Sequence, residues 1–243
     1  MTTQNHTIIV LASGLSQRLG QAKQLLHKNG EPLIGYMIKL ALATQPQAIV
    51  VVIPSNNSSI EDVVAKLAAQ YAAIHTVMNT APKTGMAHSL YLGIEALRND
   101  IDCDGLLVSR VLIMGIDQVL LDKSHLIALL TGAQDVVASR YSGLDNWSDE
   151  QDLSEKTAFH ETTTNKITTC DPLSKDIVGL PLKIDYELLT QWQALLTGDK
   201  GLRHLIRGLA SHQISSVNNH QLSYDIDTPS QLAHARAQRW IDG

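Results

Sequence analysis

Cysteine is scarce in this 243-residue chain. Cys103 and Cys170 stand far apart and match no C-x-x-C pattern, which argues against a structural zinc site and for a reducing compartment. A basic excess is also missing. The formal net charge of -5 argues against a general nucleic-acid binder, without forbidding a local basic pocket for an anionic small molecule. No apolar run reaches membrane-spanning length, and Met1 to His6 is polar, without the apolar centre of a signal peptide. The expected location is the cytoplasm, with no membrane partner. None of the 10 histidines lies in an H-E-x-x-H or zinc spacing. Trp147, Trp192 and Trp240 are too scattered to form a stacking platform for bases, and there is no internal repeat.

What remains is an ordinary globular composition, 44% hydrophobic and 18% charged, long enough for a substantial core. One domain over 1–243 is expected. Apolar β-branched runs at Thr7 to Val10, Ala48 to Ile53, Ile74 to Met78, Val108 to Met114 and Val136 to Ala138 read as strands. Helical spacing covers Pro32 to Ala43, Ile60 to Tyr71 (with Ser58 or Ser59 as cap), Ala87 to Leu97 and Asp122 to Leu130. A strand from Gly179 to Ile184 and helices at Tyr186 to Thr197, Leu202 to Ala210 and Ser230 to Ile241 complete the chain, with Thr228 and Pro229 as start signals for the last. This alternation predicts an α/β fold: an open, mostly parallel twisted sheet with helices on both faces. Ligands then sit beyond the carboxyl ends of the strands, which brings the segments after Val10, Ile53 and Met114 to one rim. Leu144 to Val178 breaks the rhythm; it is polar and too long for a normal connection, so it reads as an insertion or flap.

The segment after the first strand concentrates the chemistry. Val10-Leu11-Ala12-Ser13-Gly14 leads through Ser16, Arg18 and Gly20 to Lys23. Glycine permits a tight bend and close ligand approach, and loop N–H groups beside two cations suit a polyphosphate. An ordinary strand-to-helix turn with solvent-facing cations is the competing reading. The loop is no Walker motif, lacking Gly-Lys-Ser/Thr, and no dinucleotide fingerprint, lacking the second glycine.

Leu11 to Lys23 instead resembles the Leu-Ala-(Ala/Gly)-Gly-x-Ser-x-Arg-x-Gly-x-x-Lys opening of the MobA-like nucleotidyltransferases, the molybdenum cofactor cytidylyl- and guanylyltransferases. The resemblance continues in order through Gly85-Met86-Ala87-His88-Ser89-Leu90 with Gly93, Asp117-Gln118, Gly179-Leu180-Pro181, Gly198-Asp199-Lys200-Gly201 and Asp225-Ile226-Asp227-Thr228-Pro229. It implies a Rossmann-like nucleotidyltransferase fold. Nucleotide binding would fall to Leu11, Ala12, Ser13, Gly14, Lys23, Gly85 and Ser89. Catalytic roles would fall to Arg18, Lys23 and Asp117, and Mg²⁺ ligation to Asp117, Asp227 and Asp225. Ile116 and Val119 depart from the Gly-Asp-Gln-Pro flanks usual in the family. Plain helix capping is the alternative role for the aspartates before Pro229.

The implied reaction transfers CMP from CTP to the phosphate of molybdopterin, with a molybdoenzyme as a further candidate partner. Ser13, Gly85-Met86 with Ser89-Leu90, and Asp225-Ile226-Asp227 resemble the cytidylyl branch. A methylerythritol-phosphate cytidylyltransferase fits less well, because Ala22 precedes Lys23 where that family has proline. Guanylyl transfer, another phosphate acceptor such as a sugar phosphate, or a non-catalytic nucleotide- or cofactor-binding protein are the remaining readings. From the sequence alone, Lys23→Ala is expected to lower turnover with little loss of folding stability.

Overall fold

The computed structural model describes residues 5–101, 108–142, 167–169, 176–198 and 201–243. The β-branched opening run forms β1 (Thr7–Leu11), in which Ile8, Ile9 and Val10 have no solvent exposure. Each such side chain contributes about 1.5–3 kcal/mol through burial. Strand alternation sends Ile8 and Val10 to one face and Ile9 to the other, so β1 supplies both cores. After β1 comes the Arg18–Lys23 loop, a single turn at Lys23–Leu25, and a small two-stranded sheet of β2 (His27–Lys28) and β3 (Glu31–Pro32).

The chain then alternates: α1 (Leu33–Leu42), β4 (Ala48–Pro54), α2 (Ser58–Ala68), β5 (Ile74–Asn79), α3 (Met86–Ala96), β6 (Arg110–Met114), α4 (Lys123–Thr131) and β7 (Val136–Ser142). It continues with β8 (Ile167–Thr169), β9 (Asp176–Asp185), α5 (Tyr186–Gln193), α6 (Arg203–Ile206), β10 (Ile214–Asn218) and α7 (Pro229–Ala237). The main sheet has 8 strands in the order β5-β4-β1-β6-β9-β7-β10-β8. One core lies between the sheet and α1, α2, α4 and α7; the other lies under α3, α5 and α6. The expected α/β architecture is therefore present.

Several expectations change in detail. The sheet is parallel in β5, β4, β1 and β6, and again in β7 and β10, but β9 joins these halves antiparallel to both β6 and β7. The polar strand β10, with sequence Ile-Ser-Ser-Val-Asn, escaped the hydrophobic pattern because two serines occupy buried positions in it. The expected helix from Leu202 to Ala210 is regular only over Arg203–Ile206. The cap of α2 is Asn57, whose side chain accepts from the Ile60 N–H, rather than Ser58 or Ser59.

The stretch from 144 to 178 falls mostly outside the described residues. Its described parts are β8, which pairs antiparallel with β10 at the sheet edge, and the start of β9. Ser142 and Asp176 are paired in register at the end of β7 and the start of β9. Because β7 runs in the same direction as β6, this point lies at the rim where β1 and β6 end. No helix among the described residues is long and apolar enough to cross a membrane.

Candidate active site

The strand order reverses at β1, with β4 on one side and β6 on the other, and ligands in open α/β sheets bind at such a point. A cleft of about 730 Å³ opens there, within the range of small-molecule sites. The loop from Leu11 to Arg18 forms one wall, Gly85 to Ser89 a second, and Gly115 to Asp117 with Asp227 a third.

At one end of the cleft, ionic groups distant in sequence converge. Lys23 Nζ donates to Asp227 Oδ1 at 2.6 Å and to Asp117 Oδ2 at 3.3 Å, and Arg18 donates to Asp227 Oδ2 at 2.6 Å. Lys23 is nearly covered, its side chain 11% exposed, whereas Arg18 is 73% exposed. Burial disfavours the Lys23 ammonium, but the Asp117 and Asp227 carboxylates outweigh it and hold the pKa above the ordinary lysine value. For Asp227, burial is likewise overcome by Lys23 and Arg18, leaving the carboxyl below its usual range. Lys23 offsets Asp225 only weakly, and no ion pair reaches it among the described residues. Burial, then the charges of Asp117 and Asp227, push it up to about 6. Asp225 lines the neighbouring cavity rather than this cleft.

The positions of these aspartates have local causes. Asp117 follows β6, and Asp225 makes an isolated bridge with Gln118, while the Ile226 N–H donates to the Asp117 carbonyl at 3.2 Å. That pairing fastens the last loop beside the end of β6. Helix capping does not account for the aspartates. Thr228 caps α7 in a capping box with Gln231, whose side-chain oxygen also accepts from the Asp227 N–H at 2.8 Å. Asp227 is thus held at a helix entrance with its carboxylate free to meet Lys23.

The unusual flanks of Asp117 are also explained. Ile116 and Val119 are buried in the core, at 3% and 1% exposure, and the Val119 N–H donates to the Asp117 carbonyl. The glycine this turn requires stands one place earlier. A Cβ on Gly115 would come within 2.9 Å of Asp117 Oδ1, so only glycine leaves the carboxylate where it is.

At the other end of the cleft lies a buried neutral network. Ser13 Oγ and Ser89 Oγ are 2.6 Å apart, and Asn79 Nδ2 donates to both at 3.2 and 3.1 Å. Asn79 Oδ1 accepts from the Ala81 N–H. The hydroxyl of Ser13 therefore ties the loop to the start of α3 and the end of β5. Gly93 allows α3 to sit close to β1, since a Cβ there would meet Ile9 at 2.8 Å. Gln24, almost fully buried, donates to the carbonyls of Ala12 and Gly14 at 2.7 and 2.8 Å, fixing the loop from behind.

The family model for the MobA-like NTP transferase domain matches residues 8–216. The chain belongs to this family. It is a nucleotidyltransferase, with the fold its resemblance implied. Solved structures agree on the fold. A nucleotidyl transferase from Methanothermobacter is similar at 15% identity, covering 97% of this chain and 98% of that one, with a TM-score of 0.69. Rv0371c from Mycobacterium tuberculosis is 18% identical over 95% of this chain and 97% of its own, with a TM-score of 0.64. An inositol-1-phosphate CTP transferase from T. maritima gives 13% identity, coverage of 97% and 95%, and a TM-score of 0.59. No curated protein matches the chain.

Every residue expected to bind nucleotide in this transferase lines the cleft: Leu11, Ala12, Ser13, Gly14, Lys23, Gly85 and Ser89. Arg18, Asp117 and Asp227 line it too. Among the described residues, no group of three or more His, Cys, Asp or Glu side chains is arranged to hold a metal ion. The expected trio of Asp117, Asp225 and Asp227 is not a closed cage; Lys23 stands between two of its members. Asn79, Gln24 and Gly115 were not expected from the sequence. Their only signals are a polar residue ending an apolar strand, a glutamine after the loop lysine, and a glycine displaced by one position.

Proposed function

We propose that the protein transfers CMP from CTP to the phosphate of molybdopterin, using Mg²⁺ and releasing pyrophosphate. The observation that carries this reading is the contact of Lys23 with both Asp117 and Asp227 beside the glycine loop, in one cleft. Cytidine as the base is favoured by Ser13 in place of a second loop glycine, and by the activities named for two structural neighbours. These are the CTP transferase from T. maritima and a 4-diphosphocytidyl-2C-methyl-D-erythritol synthase from Anaerococcus prevotii, 12% identical with a TM-score of 0.63.

The residues fit the chemistry. An acceptor phosphate oxygen attacks the α-phosphorus; the new P–O bond forms as the bond to the β-phosphate bridging oxygen breaks, and pyrophosphate leaves with that electron pair. The nucleophile is already anionic, so alignment and charge neutralisation matter more than a general base. Lys23 stabilises negative charge on the triphosphate, and Arg18 reaches the same phosphates from the solvent side. Ser13, Ser89 and Asn79 keep the loop and α3 in register around the nucleoside.

Mg²⁺ fits the donor set by its chemistry. Three carboxylates gather around Lys23 and Arg18, and burial, then the charges of Asp117 and Asp227, push Asp225 up. Mg²⁺ is generally held by one or two carboxylates together with substrate phosphates, so an incomplete protein cage is the expected apo arrangement. Asp117 and Asp227 would hold it, with Asp225 beside them; when bound, it supplies charge neutralisation at the reacting phosphate.

The test is pyrophosphate release from CTP, GTP and ATP, each offered with molybdopterin, 2-C-methylerythritol 4-phosphate or inositol 1-phosphate, with and without Mg²⁺. Preference for CTP with molybdopterin supports the proposal. Turnover with a different pair reassigns the substrates, and nucleotide binding without turnover for any pair favours a binding protein. The single-domain organisation over 1–243, with 144–178 inserted at the rim of the cleft, is part of the same proposal.

A further inference from the structure

Beyond Asp117 and Asp227 the cleft continues into a second cavity of about 690 Å³, which shares those two aspartates, Leu11, Met86 and Leu180 with the first and adds Asp225. Its chemistry differs from that of the triphosphate cleft. Leu90, Ile113, Leu182 and Ile206 line it with apolar surface, and Arg203 and Arg207 line it with guanidinium groups. The Arg207 N–H donates to the Arg203 carbonyl, so the two residues lie one helical turn apart on the same side. Neither makes an ion pair with a described residue. Arg203 instead lies close to the Tyr141 hydroxyl, at the end of β7, where its charge opposes the upward push of burial on that phenol. A Cβ built on Gly179 would lie 3.5 Å from the Tyr141 hydroxyl and 4.0 Å from Arg203 Nε. The glycine therefore keeps open the space onto which these two groups converge.

Cations of this kind, forked and paired with a hydroxyl donor, match a phosphate dianion, and the apolar lining matches an organic body carrying it. We infer that Arg203, Arg207 and Tyr141 form a second anion site, distinct from the Lys23 cradle, that takes the phosphate of an acceptor phosphomonoester with an apolar or aromatic body. The word acceptor rests on the nucleotidyl-transfer reading; the anion site itself does not. It orients the acceptor from the side opposite the triphosphate, with Asp117 and Asp227 between the two.

The test uses phenyl phosphate and inorganic phosphate as probes, titrated calorimetrically into the intact protein with and without saturating CTP. The expected results are phenyl phosphate binding at least 5-fold tighter than inorganic phosphate, undiminished by CTP, and weakened at least 10-fold in Arg203→Ala/Arg207→Ala. Gly179→Val, which fills the gap without changing charge, is expected to weaken it similarly. CTP affinity should stay within 2-fold in both variants, which also reports that they are folded. Unchanged phenyl phosphate binding in both variants, displacement of the probe by CTP, or no binding to the wild type at 10 mM would overturn the assignment. Failure of the wild type to bind CTP would count against the nucleotide reading alone, because the probe titrations are scored without it.

Discussion

Lys23 Nζ and Asp227 Oδ1 lie 2.6 Å apart although 204 positions separate them in the chain. This contact joins the first loop of the fold to the last, and Asp117 completes it from the end of β6. The lysine is almost buried and its partners are partly exposed, so it neutralises carboxylates that would otherwise repel one another. That changes one expectation from the sequence. Lys23→Ala is now expected to lower turnover at least 100-fold and also to cost about 1.5–3 kcal/mol of stability, the usual range for a hydrogen bond to a charged group. Urea denaturation in the absence of divalent cations, run beside the turnover assay, checks both; full stability in the variant would contradict the structural half.

Gly115→Ala separates function from folding. The added Cβ would fall within 2.9 Å of Asp117 Oδ1, at the end of a side chain that can swing away. Stability should change by less than about 1 kcal/mol, while turnover falls roughly 10–100-fold as the carboxylate is displaced, the scale expected when reacting groups are misplaced by about an ångström. Unaltered turnover would mean that the position of this carboxylate does not matter.

The buried link between Ser13, Asn79 and Ser89 should behave in the opposite way. Asn79 has no exposure, and its removal leaves two hydroxyls and the Ala81 N–H short of partners. Asn79→Ala is expected to cost about 1–3 kcal/mol in urea denaturation. The same variant should raise KM for CTP more than it lowers kcat, since the loop is loosened while Lys23 and Asp117 stay in place. A fall confined to kcat would argue that the network serves the transfer step instead.

His125 sets part of the acid limit of the fold. Burial pushes its pKa down to about 4, against a smaller opposing effect of Asp122, and its Nε2 lies 2.8 Å from Ser139 Oγ. Ser139 donates to the Pro181 carbonyl, so the imidazole donates to Ser139 and is neutral. The unfolded chain takes up this proton near pH 6.5 and the folded chain only near 4, so the contribution is complete above 6.5 and is lost as pH falls towards 4. The loss amounts to about 3 kcal/mol. His125→Gln should therefore show a shallower fall in denaturation midpoint between pH 6.5 and 4 than the wild type. Other titrating groups, Asp225 among them, are common to both proteins and cancel in the difference. Parallel pH profiles would refute the assignment.

How much of this could be read from the sequence depends on the kind of signal. Strands such as Ala48–Pro54 and the Val111 to Met114 part of β6 announce themselves because both faces are buried in an unbroken apolar run. Strand β10 does not, since its inward serines are satisfied by hydrogen bonds that only the fold supplies; Ser215 Oγ, for example, bonds Gln134. The cleft residues from Leu11 to Lys23, with Gly85 and Ser89, were legible because a ligand-binding loop has a fixed spacing. Asn79, Gly115 and the Arg203–Tyr141 pair were not. Each matters through a contact across the sheet or between loops, and no local pattern encodes such a contact. The antiparallel course of β9 was hidden for the same reason, as hydrophobicity records burial but not direction.

The most direct test of the site is pyrophosphate release from CTP and molybdopterin with Mg²⁺, compared between the wild type and Asp117→Asn, alongside the CTP affinity of each. The arrangement around Lys23 leads us to expect CTP-dependent release by the wild type and at least a 100-fold loss in the variant, with CTP affinity changed only a few-fold. An Asp117→Asn protein that releases pyrophosphate at the wild-type rate would contradict the account.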